Sequence, residues 1–475
     1  MAETNPDIGG PMQRSRLARN LFVLYGAEAM TKALGMVVFA FVGRQVGPQA
    51  YGAVEGAVAV WFIANLMLEA GLSDWGAREA ARDPRGAAAL AGRVSLLRSF
   101  NMLAATAVVA AVAFLVHPSG PTRLLCLGYI AVLIPSPFAL AWVFQSRDEM
   151  GVVALGSLVR QIILAIVVFA FVRSASSAVA LPIGDALGVV AMVAVHQIFF
   201  RRRVGVLKLA GSLEGSLGFA KDGYTMAASA LAWALRLFAP LLLLSWLQPD
   251  RPDAGFFGAG HRLVVSVHTF VWLYFFNLLP SVTRAATGGD RGAWARILER
   301  SATWTAWMVI PLAWIGRELA PFFLRLVYSK DYDGGADAFG IMIGLLAAAF
   351  LSGHARYALI ANGRPRGEFL ANFVGAVVVI GACLLLGRSA TPEQAAVVFV
   401  AGEVVALATA LILVWTELSF GLFARSLGIP ILALILAFGA YRGAEASGLP
   451  GNGAAAGAYA LVFVLDRLGA RRKSA

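Results

Sequence analysis

The sequence predicts an all-α fold: a polytopic membrane helix bundle of about fourteen transmembrane helices. Three observations predict it. Hydrophobic residues make up 59% of the 475 and charged residues only 14%, with a mean hydropathy of +0.75; soluble chains carry about a quarter charged residues. Apolar runs of roughly 20 residues, enough to cross a hydrocarbon core at helical rise, recur along the whole chain. Lysine and arginine alternate between the connecting segments, as in a chain threaded repeatedly through a bilayer.

In order, the runs fall at 21–42, 53–72, 99–116, 124–144, 152–172, 178–200, 224–247, 256–280, 302–324, 338–361, 369–387, 394–416, 427–441 and 453–466. The last two are short, so twelve spans plus a loose pair is the alternative count. Span one is preceded by Arg14, Arg16 and Arg19, which resembles the start of a secretory signal. That run is too long for a signal core and holds two ionised residues, Glu28 and Lys32, so it reads as a retained helix. Gly47-Pro48 turns the chain into span two, and a basic stretch from Arg78 to Arg98 follows. The rest of the chain repeats this unit with variations.

With the N-terminus in the cytoplasm, the inner segments hold 25 of the 39 Lys and Arg, the outer loops 8 and the spans six. The excess puts both termini in the cytoplasm. An even number of spans is needed to keep the Arg471-Arg472-Lys473 tail on that side.

An internal repeat is also expected. At an offset of 206, Tyr51-Gly52-Ala53 falls on Phe257-Gly258-Ala259 and Arg78 falls on Arg284. Gln145-Ser146-Arg147 aligns with Asn362-Gly363-Arg364 at a slightly larger offset. Both halves begin on the same side, which makes the repeats parallel. The expected organisation is an N-terminal lobe at 1–210 (spans 1–6), a C-terminal lobe at 211–416 (spans 7–12), and an appended helix pair with a basic tail at 417–475.

Several function classes are disfavoured. The net charge of +12 comes without aromatic-interleaved basic patches, so no nucleic-acid partner is expected. Cys126 and Cys383 both fall within spans, so neither a disulfide framework nor a metal site is expected. There is no HExxH, no Walker-type loop and no Ser/His/Asp set, so neither enzyme chemistry nor a cofactor is expected. Energy then comes from an ion gradient, the membrane potential or a substrate gradient. The outer loops, none beyond about thirteen residues, leave little room for a polymerase site.

Ionisable residues inside a span cost about 2.5–3.5 kcal/mol each on insertion scales and are functional candidates by default. The deepest are Glu28, Lys32, Arg160, Asp185, His196, Arg236, Arg262, His268, His354, Arg356 and Glu403. Basic residues predominate, which suits an anionic substrate. Glu28 and Lys32 lie four apart on one helix face, either as a self-neutralised pair or as cavity groups that exchange partners. Arg236 has no acidic residue within a turn of its own helix and suits phosphate recognition. Arg262 and Arg160 lie nearer the span ends, where snorkelling to the headgroups competes with a cavity role. His261 and His268 share a face; core hydrogen bonding and proton coupling are the alternatives for them. Glu69 and Asp74 read as interfacial.

Seven stretches then carry a resemblance: GRQVGPQAYG at 43–52, LEAGLSDWGAREAAR at 68–82, WVFQSRDEM at 142–150, AGFFGAGHRL at 254–263, NLLPSVTRAA at 277–286, APFFLRLVYSKDY at 320–332 and ALIANGRPR at 358–366. Together they resemble the oligosaccharide flippases of the polysaccharide-biosynthesis family. That family belongs to the multidrug/oligosaccharidyl-lipid/polysaccharide exporter superfamily. The resemblance spans about residues 18–415 and rests on many loose patterns. It implies two lobes around a central cavity, alternating access in a bacterial inner membrane, and movement of undecaprenyl-diphosphate-linked oligosaccharides between leaflets.

Carried onto this chain, the family's basic cavity lining falls on Lys32 and Arg236, with Arg262 and Arg160 as further candidates. Glu28, Glu403 and His268 are the candidates for coupling to H+ or Na+. A small-molecule antiporter or a peptidoglycan-precursor flippase on the same fold is the alternative, and a membrane glycosyltransferase or polymerase comes last.

Overall fold

The computed structural model describes residues 11–116, 120–209, 213–288, 291–414, 420–447 and 451–474. Among them no strand occurs, and the chain forms α-helices joined by short 3-10 or π turns.

Helix α1 runs from Pro11 to Glu69, about 88 Å at helical rise, nearly three hydrocarbon thicknesses. One position breaks it. Gly47 has φ 74° and ψ 167° and is followed by Pro48. Only a residue without Cβ takes that φ readily, and Pro48 has no N–H to continue the ladder. The turn expected between spans one and two is therefore present where the sequence puts it. A second break, at Ala70 and Gly71 with positive φ, releases α2 (Leu72–Arg82). Asp74 in its first turn and Arg82 in its last complement the helix dipole.

One connecting segment and two hydrophobic runs are organised differently from expectation. The segment 73–98 is not a loop: it holds α2 and the first turns of α3 (Ala87–Ala111), which continues as a π turn to Val116. The run at 124–144 is divided into α4 (Pro121–Leu133), a 3-10 turn at Ser136–Phe138 and α5 (Ala141–Gln145). Pro135 and Pro137 supply the reason, since each lacks a ladder donor and crowds the preceding turn. The run at 302–324 is split between α10 (Arg291–Glu318) and α11 (Ala320–Val327), bent by 68°.

The remaining helices are α6 (Met150–Phe171), α7 (Ala180–Arg203), α8 (Leu213–Leu247), α9 (Asp253–Thr287), α12 (Ala336–Ala361), α13 (Pro365–Leu386), α14 (Pro392–Val414), α15 (Phe420–Ala446) and α16 (Gly451–Ser474). Among the described residues, eleven helical stretches are long and apolar enough to cross a membrane, or twelve with the bent α10–α11 pair counted as one. One of the eleven, Ala29–Arg82, contains the Gly47 break. The sequence count of fourteen takes it as two crossings and includes α16.

The chain forms two compact units. The first holds residues up to Ala234 together with Leu244–Gly258 and Val327–Asp331. In it α1 packs on α3, α4 and α6, and α7 on α4 and α6. Trp142, Phe144, Phe200 and Leu72 fill its core. The turn after Gly47 is anchored here: Gln49 donates to the Asp250 carbonyl (3.1 Å), and the buried hydroxyls of Tyr51 and Tyr328 meet at 3.2 Å. Pro48 lies so close to Gly255 that a side chain there would strike its carbonyl.

The second unit holds Leu235–Leu243, Ala259–Leu326 and the chain from Tyr332 onward. Helix α12 packs on α10, α13 and α14, and α15 packs on α10 and α16. Buried alanines such as Ala355, Ala358, Ala406 and Ala410 bring the helices close, as expected where lipid replaces water and packing rather than hydrophobicity drives association. Trp307 of α10 meets Tyr459 and Phe463 of α16 edge-on, with centroids 5.3 and 5.1 Å apart.

Candidate functional site: two buried ion-pair networks

In the second unit, four helices bring their in-span charges together. Arg236 of α8 passes through a slot made by two glycines. A Cβ on Gly375 of α13 would meet its Cδ at 2.8 Å, and one on Gly402 of α14 would meet its Cγ at 3.0 Å. At the end of the slot, Arg236 Nη1 lies 2.6 Å from Glu403 Oε2, with side-chain exposures of 1% and 0%. Nη1 also donates to the Gly402 carbonyl (3.3 Å), and Nη2 donates to Asn372 Oδ1 (3.4 Å).

The network continues beyond this pair. Glu403 Oε1 accepts from the Ser352 hydroxyl and lies 3.7 Å from Arg356 Nη1. Arg356 Nη2 donates to Glu368 Oε1 (2.8 Å), which also accepts from Asn372 Nδ2 (2.6 Å). Arg236, Glu403, Arg356, Glu368 and Asn372 thus close a ring of two cations, two anions and an amide. His268 of α9 lies within electrostatic reach of Glu403, Arg236 and Arg356. Removing charges from water is repaid by this mutual pairing and its hydrogen bonds, although Arg236 Nε and Arg356 Nε are buried without an acceptor among the described residues. Arg236 is therefore a paired member of a neutral ring, where the sequence suggested a cation facing open space.

In the first unit, Arg160 of α6 grips Asp185 of α7 with both arms: Nε to Oδ1 at 2.8 Å and Nη2 to Oδ2 at 3.0 Å. A close helix approach makes this possible, because a Cβ on Gly188, one turn after Asp185, would collide with Arg160 backbone atoms. The guanidinium lies over the Trp61 ring, 5.5 Å from its centroid, and Trp61 lies 5.7 Å from Tyr129. Arg160 keeps 29% of its side chain exposed.

The other expected residues are dispersed. Lys32 is exposed on α1, whereas the side chain of Glu28 lies outside the described residues. Arg262 is half-buried; its neighbour His261 meets the Leu237 carbonyl at 3.1 Å between the rings of Phe238 and Phe399. His354 has Nδ1 2.8 Å from the Phe350 carbonyl and Nε2 2.8 Å from Ser301 Oγ, itself 2.5 Å from the Tyr274 hydroxyl. A carbonyl only accepts, so in the neutral imidazole Nδ1 carries the proton and the hydroxyls donate in series toward Nε2. His196 is buried in the first unit with neither ring nitrogen hydrogen-bonded. Among the described residues no group of three His, Cys, Asp or Glu side chains is arranged for a metal.

Two further networks lie near the basic segments. Arg98, expected in a solvated basic stretch, is buried and donates to Glu69, Ser73 and the Ala139 carbonyl. Glu149 accepts from Arg147 (3.1 Å) and Arg203 (2.5 Å). Burial alone would raise the Glu149 carboxyl, but the hydrogen bonds and charges of Arg203 and Arg147 outweigh it and hold the group below the usual carboxylate range. The short spacing of Arg147 and Glu149 was the one sequence signal for that pair.

Residues 17–285 match the profile of the family described as polysaccharide biosynthesis protein. The chain belongs to that family. No curated protein matches it by sequence. Solved structures share the fold of this polysaccharide biosynthesis protein. The lipid II flippase MurJ, in an inward closed conformation, aligns with TM-score 0.72 at 12% identity, covering 94% of this chain and 98% of MurJ. An inward-facing multidrug resistance MATE family transporter of the MOP superfamily aligns at 0.69 with 13% identity, covering 82% and 95%. A MOP superfamily transporter from Pyrococcus furiosus, whose description reports reverse polarity of the binding pocket, aligns at 0.57 with 12% identity, covering 86% and 95%. Like them, the family member described here is an all-helical, multi-pass membrane protein.

Proposed function

We propose that the protein is a flippase that moves a lipid-diphosphate-linked oligosaccharide, a polysaccharide repeat unit, from the cytoplasmic to the periplasmic leaflet of a bacterial inner membrane. One observation carries the reading: the match to the polysaccharide biosynthesis family over residues 17–285. The fold it shares with MurJ supports it. The sugar-diphosphate headgroup crosses through the protein by alternating access while the polyprenyl tail stays in lipid, and both termini face the cytoplasm.

In this reading Lys32, Arg160 and Arg262 are the cations offered to the diphosphate. Arg160 is the best suited, because its planar fork already holds a carboxylate in the geometry a phosphate takes. Arg236 and Glu403 hold α8 against α13 and α14. His268 and Glu28 remain the candidates for an H+ or Na+ couple.

Deletion of the gene in its native host tests this. Surface polysaccharide should be lost while its lipid-linked repeat unit accumulates, and the wild-type gene should restore it. Unchanged surface polymer contradicts the reading. The likeness to the MATE transporter favours a second reading, an ion-coupled small-molecule antiporter, which requires altered drug susceptibility in the same deletion strain.

A further inference from the structure

The two buried ion pairs are built in opposite ways. Arg236–Glu403 is closed on every side: Arg356 and Ser352 hold the second carboxylate oxygen, two glycines fix the guanidinium stem, and exposure is 1% and 0%. No incoming group can take Arg236 without dismantling four helices. Arg160–Asp185 is a single pair. Both of its bonds go to one carboxylate, and Arg160 retains 29% exposure.

Polar side-chain atoms on α1 and α6, helices of this pair's unit, are left unpaired. Thr31 Oγ1, Trp61 Nε1 and Gln161 Nε2 are buried without hydrogen-bond partners. Trp61 lies under the Arg160 guanidinium and Gln161 is next to Arg160 in sequence. Gln161 Nε2 lies 3.6 Å from the Cβ position of Gly35, one turn after Thr31 on α1. Buried N–H groups normally find an acceptor. Trp61 thus lies under a guanidinium whose hydrogen-bonded partner among the described residues is a carboxylate, and Gln161 and Thr31 leave further polar atoms unpaired on α6 and α1. A phosphate offers the same paired oxygens as that carboxylate, with more to spare for neighbouring donors.

We propose that Asp185 is a placeholder: it occupies Arg160 in the empty protein and yields that guanidinium to a phosphate of the substrate. The inference rests on the phosphate-bearing cargo proposed above. On leaving Arg160 the Asp185 carboxylate takes up one proton from water. The same proton leaves when the phosphate departs and Arg160 recaptures Asp185. Phosphate binding is thereby linked to uptake of one proton. Other charged or titratable groups on the helices packed against this pair include Lys32, Arg44 and Glu55 of α1, Arg123 and Tyr129 of α4 and, along α7, His196 and Arg201. Of these, Tyr129 lies within electrostatic reach of Arg160.

The test is equilibrium binding of undecaprenyl diphosphate to the purified full-length protein in nanodiscs at pH 8 and pH 6, with undecaprenol as the uncharged control. Wild type should bind up to about a hundredfold more tightly at pH 6, one proton linked to one ligand giving about tenfold per pH unit. The ligand's own titration cannot produce this, since protonating the diphosphate weakens its attraction to a cation. Asp185→Asn should bind about tenfold more tightly than wild type at pH 8 and lose the pH dependence, and Arg160→Lys should bind about tenfold less tightly because a point charge replaces a fork. Wild-type binding that is equal at both pH values overturns the proposal without reference to any variant's folding. Binding of undecaprenol as tight as that of the diphosphate overturns the exchange together with the phosphate-bearing cargo, whereas diphosphate binding unaffected by pH and by Asp185→Asn overturns the exchange alone.

Discussion

Arg236 and Glu403 meet at 2.6 Å inside the second unit, and neither is accessible from outside it. This pair links α8 to α14. Replacing Glu403 by Gln leaves a buried guanidinium short of its counter-charge, which costs about 3–5 kcal/mol. The expected result is a clear fall in the thermal midpoint of detergent-solubilised protein followed by fluorescence size-exclusion. Arg236→Met combined with Glu403→Gln should recover most of that loss, because the guanidinium left without its counter-charge is then gone. A double variant no more stable than the single one would mean that the pair is not the lock.

The slot around Arg236 makes a steric prediction. Gly375→Ala places a methyl 2.8 Å from both Arg236 Cδ and the Gly402 carbonyl, and overpacking of this kind costs about 1–3 kcal/mol. In an Arg236→Ala background the clash with Cδ is gone and only that with the Gly402 carbonyl remains, so the two effects should be non-additive by at least about 0.5 kcal/mol. Thermal midpoints across the four-protein cycle measure the coupling, and strict additivity would disprove the slot.

Glu149 sets a pH dependence outside the spans. Its folded-state carboxyl is held below the usual range, so its contribution to stability is fully present above the unfolded value of about 4.3 and is lost as pH falls through the lower folded value. Hydrogen exchange over residues 146–150 and the end of α7 should therefore stay slow at pH 6 and accelerate below pH 4. Glu149→Gln should show the fast exchange already at pH 6, with the acid-dependent step removed.

Topology gives a fourth prediction. A cysteine at Asp250 should react with a membrane-impermeant maleimide in intact cells, and one at Arg202 only after permeabilisation. Cys126 and Cys383 are buried, so background labelling should be low. Labelling of the Arg202 position from outside would reverse the orientation.

What the sequence revealed and what it hid follow from range. The break at Gly47 was legible because Gly-Pro is a local signal with a local cause, and the basic clusters gave an orientation because charge is counted without knowing contacts. The interruption at Pro135 and Pro137 was written in the sequence too, but an averaged hydropathy run passes over two prolines flanked by leucine, isoleucine and phenylalanine. The bend between α10 and α11 falls at Leu319, just before Pro321, which has no N–H to continue the α10 ladder, and an averaged hydropathy run passes over that proline as well. Arg236 and Glu403 were each marked as costly in-span charges, yet their pairing lies between helices α8 and α14. No spacing rule reaches from one to the other, and a paired buried arginine has the same sequence signature as an open one. Arg98 was missed for the same reason: its partners Glu69 and Ser73 lie across a helix boundary that the pattern read as a basic loop.

The most direct test is translocation itself. Purified protein reconstituted into liposomes should move a fluorescent undecaprenyl-diphosphate-linked oligosaccharide between leaflets, read as loss of protection from a membrane-impermeant quencher. The proposed function requires movement well above protein-free vesicles, abolished by Arg160→Gln in a variant that remains monodisperse. Movement no faster than in empty vesicles, with the wild-type protein folded and both orientations present, would contradict it.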